Sequence, residues 1–344
     1  MHVSTEAKQV SLSEMLRLKD MHALNLIYTP AEARFDRITR LTARILKAPI
    51  AMINFIAEDH QWTKSSFGLS FTSLPRGTSF CNLALSFHGP FVVPDATQDE
   101  RVANNAIVTG PPFVRFYAGH AIHAESGSAV GALCIMDTLS RQLGPDEQET
   151  LQDLAIIAER ELSRSRPPSF QDALIQSWEP IDRRNAVDEV TRMWNRVMIE
   201  ELIYLECTHA TSDSSFSLLF VDIDRLSIVN EHFGMETGDR ALSEIARQIR
   251  HSIREDDACG RYDVNCFAVL LQAGLIDSKL VAERICEMVA SHGVPGLPMP
   301  LTVSVGVACV KETKPSPAIL MTAAAKALRE AKVKGGNQVA TALL

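Results

Sequence analysis

Apolar residues recur at helical spacing over residues 31–46 and then merge into a continuous apolar run over residues 49–56. A period of about 3.6 residues is typical of a helix with one buried face, whereas a short unbroken run is typical of a buried strand. The pattern therefore predicts a helix that is followed by a strand. Three further strands are predicted, at residues 91–93, 116–122 and 130–136. The last two form a hairpin around the polar turn 125–128. We infer an α+β unit built on an antiparallel sheet.

A long helix is predicted after Gly144, because Pro145, Asp146 and Glu147 place a proline and two acids in its first turn. Its apolar residues form one stripe: Leu151, Leu154, Ala155, Ala158 and Leu162. Such a stripe needs a partner surface, and the sequence leaves two open. One is a second copy of the chain in a homodimer, and the other is the helix's own sheet.

The chain breaks at Arg166-Pro167-Pro168, because proline lacks an amide hydrogen and the residue before it avoids the helical region. We therefore divide the sequence into an N-terminal segment (1–19), a first domain (20–165), a linker (166–185) and a second domain (186–344). Helices alternate with strands in the second domain, which predicts an α/β layer around a mixed central sheet. Its predicted helices are 188–209, 236–255, 277–292 and 316–334, and its predicted strands are 217–221, 266–271 and 301–309.

The composition is that of a globular protein, with 46% hydrophobic and 22% charged residues over a length of 344 that suits two domains. The net charge of −8 and the lack of a basic cluster argue against a nucleic-acid polymer as partner. No apolar run reaches the roughly 20 residues of a membrane span, and the N-terminus lacks signal-peptide features. The seven cysteines are odd in number and form no C-x-x-C pair, so we expect a reduced, cytoplasmic protein with no membrane partner.

The first domain contains six short motifs: Asp59-His60-Gln61-Trp62-Thr63-Lys64-Ser65, Pro75-Arg76, Ser79-Phe80-Cys81, Val93-Pro94-Asp95-Ala96, Arg115-Phe116-Tyr117-Ala118-Gly119 and Gly131-Ala132-Leu133-Cys134-Ile135-Met136-Asp137. Together they resemble a GAF domain over residues 20–165. The resemblance implies a six-stranded antiparallel sheet flanked by helices. It also implies a role in sensing a small molecule, here unknown, and in dimerisation.

Several polar residues of this domain have two interpretations. Cys81 is either a reactive or ligand-contacting thiol or, as is more common for cysteine, a small core residue. His120 and His123 are either pocket groups or histidines hydrogen-bonded at the domain surface, and no third ligand at metal spacing accompanies them. Trp62 and Lys64 either line a pocket or cap the sheet.

The second domain contains a longer series of motifs: Asp188-Glu189-Val190-Thr191-Arg192-Met193-Trp194-Asn195-Arg196, Phe220-Val221-Asp222-Ile223-Asp224, Asn230-Glu231-His232-Phe233-Gly234, Gly238-Asp239, Arg254-x-x-Asp257, Arg261-Tyr262 with Phe267-Ala268-Val269-Leu270-Leu271, Thr302-Val303-Ser304-Val305-Gly306-Val307-Ala308 and Ala331-Lys332. Their order and spacing resemble a GGDEF domain, the diguanylate cyclase module. The resemblance implies a nucleotidyl-cyclase-like α/β fold over residues 186–344.

An active member of that family is implied to bind GTP with magnesium and to form cyclic di-GMP, largely by positioning and charge neutralisation. The resemblance implies metal ligands at Asp222, at the backbone carbonyl of Ile223 and at an acid in the signature hairpin. The five signature positions, Gly-Gly-Asp/Glu-Glu-Phe in the family, read Asp263, Val264, Asn265, Cys266 and Phe267 here. We assign no catalytic residue with this signature.

Each change has a physical consequence. Val264 suits a tight two-glycine hairpin poorly, so we expect the hairpin to be reshaped. Asn265 lacks the charge of a carboxylate, and Cys266 is a soft ligand that magnesium does not favour, so metal affinity should fall. Ser227 and Gly336 stand where the family has a lysine and an arginine that face phosphate groups.

A residual nucleotide site is implied by Asn230, Asp239 and Lys332, which match family positions. Asn230 and Asp239 either contact guanine or merely cap a turn and the following helix, and the sequence weighs both equally. No cofactor follows from the sequence except magnesium, if a nucleotide binds.

A second ligand site is implied by Arg254, Asp257 and Arg284, at the positions where the family binds cyclic di-GMP. Arginine donates two hydrogen bonds to guanine O6 and N7, and a carboxylate accepts from guanine N1 and N2. The alternative is a solvated charge run at a helix end. The third match, Arg284, favours a site.

Three functions stay open at this point. The favoured one is a catalytically degenerate signalling protein that binds cyclic di-GMP, or a protein partner, under the control of the GAF domain. The second is a diguanylate cyclase of low or partner-dependent activity, which requires Asn265 or Asp263 to restore the metal site. The third is a GTP-sensing domain without turnover.

Overall fold

A computed structural model of the chain describes residues 12–69, 73–163, 171, 175, 182–210, 215–311 and 316–344. Two compact units make up the chain, one formed by Met1–Ile27 with Arg34–Arg166 and the other by Tyr28–Ala33 with Pro167–Leu344. The proline break expected at residues 166–168 lies outside the described residues. Within the described part of the chain, no helix has both the length and the apolar content to cross a membrane.

The first unit is built on six antiparallel strands in the order β3-β2-β1-β6-β5-β4. Its strands are β1 (Ile50–Ile56), β2 (His60–Phe67), β3 (Ser73–Pro75), β4 (Phe91–Val93), β5 (Phe116–His123) and β6 (Ala129–Asp137). Its described helices are α1 (Leu12–Ala23), α2 (Ala33–Ile45), α3 (Phe80–Ala84), α4 (Ala106–Thr109) and α5 (Pro145–Ser163). The antiparallel α+β unit and its hairpin are confirmed.

Hydrophobic patterning did not predict β2, because this strand is polar and nevertheless buried. Its buried polar residues are Gln61, Thr63, Lys64 and Ser65. The Ser65 hydroxyl donates to Asp36 on α2 at 2.7 Å and shares a hydrogen bond with Thr39 at 2.8 Å. Buried polar groups are tolerated when they are hydrogen-bonded. The partner helix, and not an apolar period, therefore stabilises this strand.

The apolar stripe of α5 packs on the helix's own sheet. Leu151, Leu154, Ala155 and Ala158 are buried, and the helix contacts β5 and β6. Leu162 is only half-buried. Of the two partner surfaces that the sequence left open, the structure therefore supports the sheet of the same chain, and a dimer contact through this stripe is not needed to cover it.

The second unit has a five-stranded sheet in the order β11-β10-β7-β9-β8. Its strands are β7 (Ser215–Ile223), β8 (Ala258–Arg261), β9 (Cys266–Leu271), β10 (Val303–Lys311) and β11 (Val339–Leu343). Its described helices are α6 (Arg196–His209), α7 (Leu226–Phe233), α8 (Met235–Ser252), α9 (Leu275–His292) and α10 (Pro317–Val333). Among these five described strands, β10 and β11 pair in parallel and the other neighbours pair antiparallel, which confirms the mixed sheet. The short elements α7, β8 and β11 were not predicted.

Helices cover both faces of this sheet. Apolar residues of α7, α8 and α9 share one core with Val305 and Val307 of β10. Gly306 faces the other side, where the backbone of α10 lies so close that an added Cβ would be 2.1 Å from the Leu328 amide nitrogen. The helix α10 can approach the sheet this closely because residue 306 has no side chain.

Two predicted helix boundaries are wrong. The helix predicted from residue 188 begins at Arg196, because Asn195 caps it and the Asp188 carboxylate instead binds the amide and hydroxyl of Thr191 in a turn. Arg192 has φ of +59°, which a helix does not contain. At the other boundary, α8 ends at Ser252 because the next residue is extended. The segment 253–257 is therefore a loop.

Candidate functional site

The signature hairpin joins β8 to β9, and Asp222, near the end of the neighbouring strand β7, pairs with Cys266 of β9. Asp222 is buried, and its Oδ1 accepts from Lys332 Nζ at 2.7 Å and from Asn265 Nδ2 at 3.0 Å. Lys332 extends from the last turn of α10, and its side chain is 42% exposed. Burial raises the pKa of the Asp222 carboxyl, while the Lys332 ammonium acts in the opposite direction. An internal cation and an amide thus satisfy this carboxylate.

The residues at the implied magnesium site do not fit that ion. Magnesium needs several oxygen ligands in octahedral geometry, yet the Asp222 oxygen already accepts from an ammonium and Asn265 presents an N–H donor to it. The Ile223 amide binds the Asn265 carbonyl at 3.0 Å. Burial raises the pKa of the Cys266 thiol to about 12, so it is a neutral group. No set of three histidine, cysteine or acidic side chains among the described residues is arranged to hold a metal.

The hairpin turn closes without the left-handed residues that paired glycines permit. The amides of Tyr262 and Asp263 both donate to the Cys266 carbonyl, at 2.8 and 3.0 Å. Asp263, Val264 and Asn265 have no positive φ. The Asp263 carboxylate accepts from the Val264 amide at 2.8 Å, and the Val264 side chain is 66% exposed. A β-branched residue is accommodated because the turn avoids the backbone region that favours glycine. Phe267, the retained signature residue, lies in the core.

Asp224 is a further central residue, which the sequence analysis included only as the last position of the motif Phe220-Val221-Asp222-Ile223-Asp224. Its carboxylate accepts from the hydroxyls of Thr302 and Ser304, each at 2.7 Å, and from the Asn337 amide at 3.0 Å. Gly336 beside it has φ of +76°, where any side chain is strained. The backbone at residue 336 therefore favours glycine, and an arginine at this position, as in the family, would be strained. The sequence signal that could have indicated the importance of Asp224 is the spacing of two acids, Asp222 and Asp224, at the end of a strand.

Asn230 lies on α7 and Asp239 on α8, and neither side chain caps a helix. The N-cap of α8 is Gly234, which makes no side-chain hydrogen bond. Asn230 Oδ1 is buried, has no hydrogen-bond partner in the described structure, and lies where a Cβ of Gly238 would be 1.8 Å away. The capping interpretation is thus not supported. Ser227, on the same helix as Asn230, is exposed.

Arg254, Asp257 and Arg284 meet around the end of α8. The Arg254 amide donates to Asp257 Oδ2 at 2.8 Å, and the Gln272 amide lies 3.4 Å from Asp257 Oδ1. Arg284 extends from α9 and donates through Nε, at 3.1 Å, and through Nη2 to the Ser252 carbonyl. Both arginines are exposed, and burial raises the pKa of the Asp257 carboxyl. The arrangement brings Arg284 of α9 to the short segment that carries Arg254 and Asp257.

Gln171 contacts this segment from the linker. Its Nε2 donates to the carbonyls of Asp257 and Asp256, at 2.9 and 3.3 Å. Its Oε1 accepts from the indole Nε1 of Trp194 at 2.9 Å. Sequence reasoning missed Gln171, because no local pattern distinguishes it from other polar linker residues. The described part of the linker therefore supports the segment that carries Arg254 and Asp257.

The candidate residues of the first unit are mostly interior. Trp62 and Lys64 are buried within β2, so neither caps the sheet from outside. Cys81 is 2% exposed, which agrees with a core position, and its Sγ lies 3.6 Å from Cys134 Sγ.

The two candidate histidines of this unit each make a hydrogen bond, but only His123 is partly exposed, because His120 is buried. His123 Nδ1 is 2.7 Å from Glu159 Oε1, beside an open cleft of about 510 Å³ that both residues line. His120 Nδ1 is 2.8 Å from the Ala121 carbonyl. Among the described residues, His120 and His123 do not form a metal site with a third side chain.

Family comparisons agree with this architecture. A GAF domain model matches residues 30–162, and the model described as diguanylate cyclase, GGDEF domain matches residues 185–338. The chain therefore contains a GAF domain followed by a GGDEF domain. Both resemblances drawn from the motifs are confirmed.

Particular relatives include cyclic di-GMP phosphodiesterase PA2567 of Pseudomonas aeruginosa, which is 30% identical over 207 residues, 60% of this chain and 32% of that protein. Diguanylate cyclase DgcP of the same organism is 28% identical over 62% of this chain and 32% of its own length. The solved GGDEF domain of DgcB from Caulobacter crescentus, in complex with c-di-GMP, is 24% identical with a TM-score of 0.43, covering 45% of this chain and 95% of that one. The chain spans about a third of the length of these two curated relatives.

Proposed function

We propose that this protein is a cyclic di-GMP receptor, in which a catalytically degenerate GGDEF domain is controlled by the GAF domain. The observation that carries this proposal is the arrangement of Arg254, Asp257 and Arg284 around one loop. Two of these side chains are exposed guanidinium groups, and the third is a carboxylate oriented by backbone amides. These are the groups that recognise guanine and phosphate in proteins.

Preorganisation supports the same conclusion. The Asp257 carboxylate is held by the Arg254 amide, so its orientation does not depend on a ligand. Arg284 is oriented by the Ser252 carbonyl, two residues before Arg254. Groups that are already ordered lose less conformational entropy when a ligand binds. The guanidinium of Arg254, by contrast, has no hydrogen bond or ion pair within the described residues and is available for a ligand.

A low-activity cyclase is less well supported. It would require Asn265 or Asp263 to complete a metal site, but Asn265 acts as a donor to Asp222 and Asp263 binds the Val264 amide. Lys332, a cation of the protein itself, is paired with Asp222, the acid that is retained among the implied metal ligands. The charge that magnesium would neutralise is therefore already compensated.

The receptor proposal is tested by calorimetric titration of the full-length chain with cyclic di-GMP. We expect saturable binding by the wild type, and Arg254→Ala should weaken it about 5- to 150-fold, because a bidentate contact to a base contributes about 1–3 kcal/mol. Since the exposed Arg254 guanidinium makes no hydrogen bond within the described fold and acts on Asp257 only through its charge, its removal should change the thermal unfolding curve little.

Arg329→Ala is the matched control. Arg329 is also exposed, but it lies on α10, which covers the opposite face of the sheet. Its removal should leave the affinity for cyclic di-GMP unaltered. Absence of binding at high micromolar ligand, or equal affinity of the Arg254→Ala variant and the wild type, contradicts the receptor proposal and leaves a protein-interaction role.

A second candidate is binding of a guanine nucleotide without turnover. It is favoured by the buried, unpartnered acceptor Oδ1 of Asn230, which matches a family position for guanine. Because Lys332 already compensates Asp222, we expect the affinity for GTP in calorimetry to be the same in magnesium and in EDTA. Gly238→Ala should weaken this binding, since the new Cβ displaces Asn230. Binding that disappears in EDTA would instead show a functional metal site.

A further inference from the structure

Two cysteines are in contact within the core of the GAF domain. Cys81 lies on α3 and Cys134 on β6, and their Sγ atoms are 3.6 Å apart. The two residues are 2% and 0% exposed. All seven cysteines are free and buried, and within the described residues Cys81 and Cys134 form a thiol–thiol hydrogen bond. Neither the GAF fold nor the proposed receptor site requires two sulfurs at this position.

Polar groups converge on Cys81 from two other elements. Asn54 Nδ2, on β1, is 3.2 Å from Cys81 Sγ, and the Tyr117 hydroxyl, on β5, is 3.3 Å from it. Asn54 Nδ2 is also 3.6 Å from Cys134 Sγ. Donors directed at a sulfur stabilise its anionic form. The site therefore has the hydrogen bonds that a thiolate needs in place of water.

The ionisation of Cys81 differs from that of other buried thiols. The hydrogen bond with Cys134 lowers the pKa of Cys81, and those from Tyr117 and Asn54 add to the decrease, against the effect of burial. Burial raises the pKa of Cys259 to about 12. The thiolate is the reactive form of cysteine. The hydrogen-bond geometry and the lowered pKa therefore both indicate Cys81 as the more reactive of the two cysteines.

Packing alone does not account for this cluster. The surrounding core is apolar, with Met52, Phe80 and Phe91 among its members. Asn54 is nevertheless 0% exposed, and its Oδ1 has no hydrogen-bond partner in the described structure. A buried amide with an unsatisfied oxygen destabilises a core that serves only packing. Such groups are expected where they serve a chemical role.

We propose that Cys81 and Cys134 form a redox-active pair that a hydroperoxide converts into a disulfide. The Cys81 thiolate attacks the terminal peroxide oxygen, the O–O bond breaks, and one proton is taken up, which yields a sulfenic acid and water or an alcohol. The Cys134 sulfur then attacks the Cys81 sulfur, the S–O bond breaks, and the thiol proton leaves with the hydroxyl group as water. Two thiols lose two electrons in total, and the peroxide gains them.

Formation of the S–S bond requires the two sulfur atoms to move closer together. A disulfide has a sulfur–sulfur distance of about 2.05 Å, so the two atoms must approach from their present 3.6 Å. Cys81 lies on a helix of only five residues, α3, whereas Cys134 lies within a central strand of the sheet. The short helix is therefore the element that we expect to move.

The test exposes the native full-length protein to hydrogen peroxide, followed by alkylation of free thiols and peptide mass spectrometry. We expect a Cys81–Cys134 linked peptide before the other five cysteines are modified, and its loss on treatment with a dithiol. If the two residues remain alkylatable while other cysteines are oxidised, or if the link forms only in denaturant, the proposal is wrong.

Variants separate the two chemical steps. In Cys134→Ser, the sulfenic acid at Cys81 should persist and react with dimedone, whereas Cys309→Ser should still form the link. Tyr117→Phe removes one donor, which should slow formation of the link about ten-fold. Because Tyr117→Phe preserves the shape of the side chain, it still tests the mechanism if the Cys134→Ser variant fails to fold. An unchanged rate in Tyr117→Phe and no dimedone adduct in a folded Cys134→Ser protein both contradict the mechanism.

Discussion

The purified 344-residue chain, supplied with GTP and either magnesium or manganese, is expected to form no cyclic di-GMP above background. A rate below about a hundredth of the median enzyme rate of about 10 per second is the expected result. The reason is the site around Asp222, where Lys332 Nζ at 2.7 Å and Asn265 Nδ2 at 3.0 Å already bind the carboxylate. The measurement is chromatographic quantification of product, with an active diguanylate cyclase assayed in parallel.

Repair of one position should not restore activity. Asn265→Asp returns a carboxylate, but Lys332 can then pair with either acid, and the turn at Asp263 and Val264 keeps its closed hydrogen bonding. The positions of the two missing phosphate-facing cations also remain unfilled. Adding Lys332→Ala to Asn265→Asp tests whether the internal cation is the remaining obstacle to metal binding. Turnover by Asn265→Asp alone at the rate of an ordinary cyclase would show that the hairpin matters less than its hydrogen bonds indicate.

Gly306→Ala is expected to destabilise the second unit by at least about 3 kcal/mol, the upper end of typical overpacking costs. A Cβ at this position would lie 2.1 Å from the Leu328 amide nitrogen and 2.3 Å from the Ala324 carbonyl oxygen. Both atoms belong to the backbone of α10, so no side-chain rotation relieves the contact. The helix must move away from β10.

Pulse proteolysis in urea, read by peptide mapping of α10 and β10, measures this loss without treating the two-domain chain as one two-state system. Gly89→Ala is the control, because residue 89 has no atom within 4 Å of a new Cβ and no positive φ. We expect the control to unfold at the wild-type urea concentration. Equal midpoints for the Gly306→Ala variant and the wild type would mean that α10 is not packed as tightly as its backbone contacts indicate.

The sequence alone predicted those elements whose burial follows a regular period. The helices α2, α9 and α10 and the strands β1, β7, β9 and β10 were predicted within a few residues of their observed bounds. Each has one apolar face or an unbroken apolar run, which neighbouring residues reveal by themselves. Both domain families also followed from motifs, because their residues occur at fixed local spacing.

Prediction from the sequence failed for those elements in which tertiary contacts override the local pattern of polar and apolar residues. The strand β2 is polar throughout much of its length, and the hydrogen bonds between Ser65 and the α2 residues Asp36 and Thr39 allow its burial. The sequence predicts residues 253–255 as the end of a helix, because the charged residues there are compatible with either a helix or a loop. The side chain–backbone bond from Arg254 to Asp257 replaces the helical pattern there.

The sequence therefore determined the two domains, the departures from the GGDEF signature and the identity of Arg254, Asp257 and Arg284. Only the tertiary structure decided that Lys332 pairs with Asp222, that Gln171 supports the loop of Asp257, and that Cys81 meets Cys134. These partners are separated by tens to more than a hundred positions in the chain. Local spacing determines which face of an element a residue occupies, but the packing of helices on a sheet determines which distant side chains meet.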